Sequence, residues 1–252
     1  MSKEASYFYD FWQQQHTPLH FHNAEEWYQK YADEIYFYLQ GKKKIIDAGC
    51  GSGDIIKPLS TKFDYILGVD FSASMIDTAK INLKVLPEEK YSLHVGNIVN
   101  LKDFATSKFD GLYANQAIQY LNSEEIGVLL RSLDDIMTPD ATILFLNIPN
   151  RNLKFLFKNR VFHHQHEQEY STGDYMGFFM KEFFRNAGHS VKSLIRRMVR
   201  GKGLLKVDAS GFWQTPKYYI DLCSKHGYEA EILNSIYPPY GYRFHVLLKK
   251  KK

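Results

Sequence analysis

The sequence predicts an α/β protein: a doubly wound, mostly parallel seven-stranded sheet with an antiparallel final strand and a helical insertion. Three observations carry this. Strand-like and helix-like segments alternate from residue 41 to about residue 150. A glycine-rich turn, "DAGCGSG" at 47–53, follows the first strand segment directly. The last two strand segments are joined only by "PPYGY", too short for the dozen or more residues of a parallel crossover.

Residues 1–40 read as a helical cover. "AEEWYQKYADEIYFYLQG" sets Trp27, Tyr31, Ile35 and Tyr38 near one helical face, and Gly41 suits its end. Five strands then follow, "KKIIDA", "YILGVD", "YSLHVGN", "FDGLYAN" and "ATILFLNIP", with helices such as "SASMIDTAKINL" and "SEEIGVLLRSLDDIM" between them. Pro58 falls where the first of these helices would already run, so that helix is expected to start late. From 150 to 210 the alternation breaks. Met176, Phe179, Met180, Phe183 and Phe184 form one helical stripe, and Val191, Leu194, Ile195, Met198 and Val199 form another. A connection this long with its own helices is expected to be a lid. "WQTPKYYIDLCSKHG" is the final helix, and "YEAEILNSIY" and "RFHVLLKK" are the closing strands. The expected organisation is one domain over 1–252: cover 1–40, core 41–150 and 210–252, lid 150–210.

Composition narrows the class. The chain has 252 residues, 44% of them hydrophobic, and a net charge of +4, which permits acidic partners without demanding them. Two cysteines, Cys50 and Cys223, are too few for a disulfide framework. No stretch approaches the roughly 18 apolar residues of a membrane span, and "MSKEASYFYD" has no apolar signal core. A cytoplasmic location is expected.

The glycine turn points to a ligand. Glycines between a strand and a helix accept positive φ and let a ligand approach the backbone without meeting Cβ atoms. The carboxyl end of the first strand is where open α/β sheets bind nucleotide-like ligands. The nicotinamide fingerprint G-x-G-x-x-G would need glycine at position 54, which is Asp54, and no G-K-[ST] of a phosphate loop follows. An acid at that helix start disfavours a pyrophosphate and suits a zwitterionic or cationic ligand.

With these motifs the chain resembles the class I S-adenosylmethionine-dependent methyltransferases, over roughly 41–150 and 210–250. The resemblance implies their Rossmann-like fold and S-adenosylmethionine as cofactor, with S-adenosylhomocysteine as product. It implies that Gly49, Gly51 and Gly53 line the methionine and ribose part, with Asp47 supporting the loop. In "LGVDFSASMIDTAK", Asp70 would accept from both ribose hydroxyls, and Phe71 and Met75 would pack near the adenine. Asn97 stands where the family usually has Asp, and its amide oxygen would take the adenine amino group, with Ile98 on the ring. Asn115 and Gln116 end the fourth strand beside the methyl group.

Methyl transfer from a sulfonium is a single displacement that needs alignment, exclusion of water, and a base only when the acceptor is protonated. Two histidine clusters offer a base: His16, His20 and His22, and His163, His164 and His166. His20 and His163 are the candidates, each weighed against an exposed loop histidine; no metal site is expected, since no cysteine accompanies either cluster. Tyr28 and Trp12 are placed to close over the cofactor from the cover. Residues 191–206 form a basic amphipathic helix with Lys192, Arg196, Arg197 and Arg200, either a solvated lid face or a contact for a membrane surface or a phosphate. Nucleic acid is disfavoured, as no RNA-binding module accompanies it. The expected activity is methyl transfer to oxygen or nitrogen of a small molecule. The alternatives are a lipid or phosphorylated glycan acceptor, or a non-catalytic S-adenosylmethionine-binding regulator.

Overall fold

In the computed structural model the described residues are 24–154, 211–235 and 242–251. Helix α1 (Ala24–Leu39) starts with Glu25 and Glu26, which suit the positive end of its dipole. It buries Tyr31, Ala32, Ile35 and Leu39, while Tyr38 is only half-buried, so the apolar stripe runs through Leu39 instead. Strand β1 (Lys44–Ala48) is buried after its first residue. Beyond the glycine turn, α2 (Ile56–Leu59) is a single turn, and Pro58 lies within it, where a missing N–H costs least. The late start expected from Pro58 is what the chain does.

Strand β2 (Tyr65–Asp70) leads to α3 (Ala73–Leu83), whose N-cap Ser72 accepts from the Met75 N–H at 3.3 Å. Strands β3 (Tyr91–Val95) and β4 (Phe109–Asn115) follow. Helix α4 (Ser123–Ile136) opens with a full capping box: Asn122 accepts from Glu124 and Glu125 N–H, and the Glu125 carboxylate accepts from the Asn122 N–H. It runs directly into β5 (Met137–Pro149). Helix α5 (Pro216–Lys225) carries Pro at its start and a Thr215 cap, before β6 (Tyr228–Asn234) and β7 (Arg243–Lys250).

The seven strands form one sheet in the order β3-β2-β1-β4-β5-β7-β6. Strands β1 to β5 pair in parallel, and β7 inserts antiparallel between β5 and β6. The seven strands and the antiparallel closure are those expected from the sequence. One core layer joins α4 and α5 to the sheet through Leu112, Leu129, Leu133, Tyr219 and Val246. The other joins α1, α2 and α3 through Ile35, Leu39, Ile45, Ile56, Ile76 and Leu144. Burying each such side chain contributes about 1.5–3 kcal/mol, so the sheet is fixed by apolar faces on both sides. Order reverses at β1, with β2 on one flank and β4 on the other, which opens a crevice at the strands' carboxyl ends.

Most of the 150–210 insertion lies outside the described residues. Its two ends meet: Asn150 and Gln214 form a parallel bridge, and the Arg151 N–H donates to the Gln214 carbonyl at 3.0 Å.

Candidate functional site

The glycine turn is strapped to β2. The Gly49 and Cys50 N–H groups both donate to the Val69 carbonyl, at 2.8 and 3.1 Å. The Gly51 N–H donates to Asp70 Oδ2 and the Ser72 N–H to Asp70 Oδ1, both at 2.9 Å. Asp70 thus holds the loop with one lone pair of each oxygen and keeps the others for a ligand. The glycines do different work. Gly49, at φ +89°, lies so close to Ala117 that an added Cβ would meet that residue's Cβ at 2.5 Å. Gly53 is packed under Ala79 and Leu83 of α3. Gly51, at φ +52°, is the one of the three whose added Cβ would meet nothing within 4 Å. Loop geometry therefore gives two glycines a packing role and leaves Gly51 as the one facing open space.

Three carboxyl groups converge here. Asp47, 2% exposed, accepts from the Tyr113 hydroxyl at 2.5 Å. Burial pushes its pKa up to about 8; the Tyr113 bond opposes the shift and the Asp70 charge adds to it. Burial raises Asp54 too, countered by the Ser52 hydroxyl that donates to it and by Lys57. Burial also raises Asp70, against its two backbone donors. Acids held out of water against their charge would be relieved by a cation, and the same field repels a pyrophosphate. The crevice therefore fits a ligand with positive charge, and its sequence-derived preference has a physical cause.

Across the crevice, Asn115 and Gln116 end β4 half-buried, and Gln116 takes φ +55°. The amide oxygen of Asn115 accepts from Asn147 Nδ2 at 2.8 Å. Asn147 belongs to a buried polar chain that includes Ser235, Arg243, His245 and Glu34. Above the end of β5, Trp213 and Tyr242 stack at 5.6 Å and pack with Tyr31, with Trp27, Tyr28 and Ile55 at their edge. Lys154 Nζ stands 5.2 Å from the Trp213 ring centre. Tyr28 from the cover thus shares one cluster with Ile55, just beyond the glycine turn.

The other expected positions fall as follows. Phe71 is half-buried and Met75 buried at the β2–α3 corner. Asn97 is exposed, and its amide oxygen already accepts from the Val99 N–H at 3.0 Å, which leaves one lone pair for a ligand. Ile98 is buried beside it. His20, His163, Trp12 and the basic segment 191–206 lie outside the described residues. Among the described residues no cluster of three or more His, Cys, Asp or Glu could hold a metal ion, and no helix is long and apolar enough to cross a membrane.

Sequence reading missed Tyr113 as the partner of Asp47, and the Glu34–His245–Asn147 chain. One signal was present: Asn147 interrupts the apolar run "ILFLNIP", and Glu34 sits between the apolar positions Tyr31 and Ile35.

A family model described as a methyltransferase domain matches residues 45–140, from β1 into β5. The chain is 33% identical over 90 residues to a magnesium-protoporphyrin O-methyltransferase of Rhodobacter capsulatus, covering 36% of this chain and 39% of that one. It is 30% identical over 108 residues to a malonyl-[acyl-carrier protein] O-methyltransferase of Legionella pneumophila, covering 42% of this chain and 36% of that one. The matched stretch thus spans well under half the length of these curated relatives. Among solved structures, magnesium protoporphyrin IX methyltransferase from Synechocystis with bound SAH superposes with a TM-score of 0.61 at 12% identity, over 99% of this chain and 100% of that one.

Proposed function

We propose, from the premise that residues 45–140 are a methyltransferase domain of the class I S-adenosylmethionine-dependent family, that this protein transfers a methyl group to oxygen or nitrogen of a small-molecule acceptor. The observation that carries the reading is the acidic crevice of Asp47, Asp54 and Asp70 around a glycine whose Cβ position is open. Family likeness supports it: the relatives are named as O-methyltransferases, and the superposed structure holds S-adenosylhomocysteine.

S-adenosylmethionine supplies an activated methyl on a sulfonium. The chain's own residues bind and align. Asp70 has a free lone pair on each oxygen for the ribose hydroxyls, while its backbone bonds keep those oxygens fixed. Gly51 leaves room for the amino-acid part, Asp54 adds negative field for its cationic groups, and Asp47 ionises as a cation binds beside it. Phe71, Met75, Asn97 and Ile98 stand at the β2 and β3 ends for the adenine. Asn115 and Gln116 face them from β4, and the Trp27, Tyr28, Tyr31, Trp213 and Tyr242 cluster excludes water from the acceptor side. Where the acceptor needs deprotonation, His20 or His163 is the proposed base.

Calorimetry tests the cofactor reading: S-adenosylhomocysteine should bind and NAD should not. Incubation with S-adenosylmethionine and metabolite pools tests the activity, read as S-adenosylhomocysteine released. Binding without release from any pool would favour a regulatory role instead.

A further inference from the structure

Two residues other than glycine hold positive φ among the described residues, Gln116 and Asn147 at +55° and +56°. They stand at the carboxyl ends of neighbouring strands, and the β5–β7 register slips around Asn147, between Phe145 and Ile148. A left-handed conformation costs a non-glycine residue about 1–2 kcal/mol, and Asn tolerates it better than most. Such strain persists where the surroundings over-determine it, and it gathers at functional sites.

The surroundings of Asn147 do over-determine it. Fully buried, it donates its N–H to His245 Nδ1 at 2.9 Å, and its carbonyl accepts from the Arg243 guanidinium. Its Oδ1 accepts from the Ser235 hydroxyl at 3.1 Å, and its Nδ2 donates to Asn115 Oδ1 at 2.8 Å. His245 can accept that N–H only through an unprotonated Nδ1. Its proton therefore sits on Nε2, which donates to buried Glu34 at 3.0 Å. A position needing only volume would hold an aliphatic residue, as Leu146 and Ile148 do on either side.

Among the described residues the chain of bonds reaches the crevice through the half-buried amide of Asn115. With Oδ1 engaged, that amide presents Nδ2, which has no partner among the described residues. We infer that Asn147 is a positioning residue: clamped by His245 and Ser235, it fixes the Asn115 amide with its NH2 toward the crevice, to donate to the carboxylate at the amino-acid end of the cofactor. A donor-only group needs an acceptor, and of the three charged groups at that end only the carboxylate accepts. The inference rests on the cofactor reading above.

The test measures dissociation constants for S-adenosylhomocysteine and for 5′-methylthioadenosine, which lacks the amino-acid end. Asn115→Ala should weaken the first by about tenfold and spare the second, as loss of one hydrogen bond to a charged group implies. Asn147→Gly keeps the left-handed backbone without strain and keeps the N–H and carbonyl bonds to His245 and Arg243, so the backbone clamp outlasts the side chain. It frees the Asn115 amide to turn and should weaken S-adenosylhomocysteine by roughly three- to tenfold, again sparing methylthioadenosine. The double variant should be no weaker than Asn115→Ala alone, because Asn147 acts through Asn115. Additive losses, or equal losses for both ligands, would make Asn147 merely structural and overturn the inference, as would unchanged affinity in Asn147→Gly. A wild type that binds neither ligand overturns the cofactor reading, and the inference with it.

Discussion

Replacing Gly49 and Gly51 one at a time by alanine should separate the loop's architecture from its ligand space. Both occupy positive φ, so each alanine carries about 1–2 kcal/mol of left-handed strain. At Gly49 the new Cβ also lands 2.5 Å from the Ala117 Cβ, an atom that cannot swing away. Overpacking of that kind adds about 1–3 kcal/mol, for a total of about 2–5 kcal/mol. At about 2–4 °C per kcal/mol for a chain of this size, Gly49→Ala should lose roughly 4–20 °C in Tm. Gly51→Ala meets no protein atom and should lose only about 2–8 °C. Its methyl stands in the proposed ligand space, however. If displacement there costs about 1–3 kcal/mol, S-adenosylhomocysteine affinity falls roughly 5- to 150-fold. Thermal scanning and calorimetry on the two variants, both at a temperature where each is folded, give the comparison. Wild-type affinity in Gly51→Ala would refute the placement of the ligand at that glycine. An unmoved Tm in Gly49→Ala would refute the close approach to Ala117.

Further perturbations follow from the same geometry. Asp70→Ala removes the acceptor for two backbone N–H groups and for the proposed ribose, and should weaken cofactor binding by about 1.5–3 kcal/mol, read by calorimetry; unchanged affinity sinks the ribose assignment. Asp47 holds its proton in the folded state up to about pH 8, against an unfolded value of 3.8, so its contribution to stability is complete below about pH 4 and is lost as pH rises toward 8. A bound cation favours the ionised form, so cofactor binding should release a proton and tighten with pH up to about 8. Calorimetry in buffers of different ionisation enthalpy counts that proton, and fewer would be counted in Asp47→Asn. His245→Leu leaves Glu34 buried without its donor and the Asn147 N–H unmet, and should cost about 3–5 kcal/mol in denaturant melts. Asn122→Ala removes the α4 cap and should cost about 1 kcal/mol in denaturant melts.

The sequence by itself determined the sheet and the location of the crevice, because both are written in local pattern. Runs such as "YILGVD" and "ATILFLNIP" must be buried on both faces, and the short "PPYGY" link forces antiparallel pairing of β6 and β7. Glycines at 49, 51 and 53 followed by Asp70 one strand later mark a ligand turn, since few other residues tolerate that backbone. Pro58 even announced the late start of α2. Only the tertiary structure decided which glycine leaves its Cβ position open. That depends on Ala117 and on Ala79 and Leu83, which lie 68, 26 and 30 positions from the glycines they touch. Tyr113 on Asp47, and His245 between Glu34 and Asn147, were likewise invisible in local pattern. Hydrophobic periodicity records how much of a residue is buried and on which face. The partner of a buried polar group is instead chosen by strand order, which brings position 245 beside 147 and position 113 beside 47, and no local spacing encodes that choice.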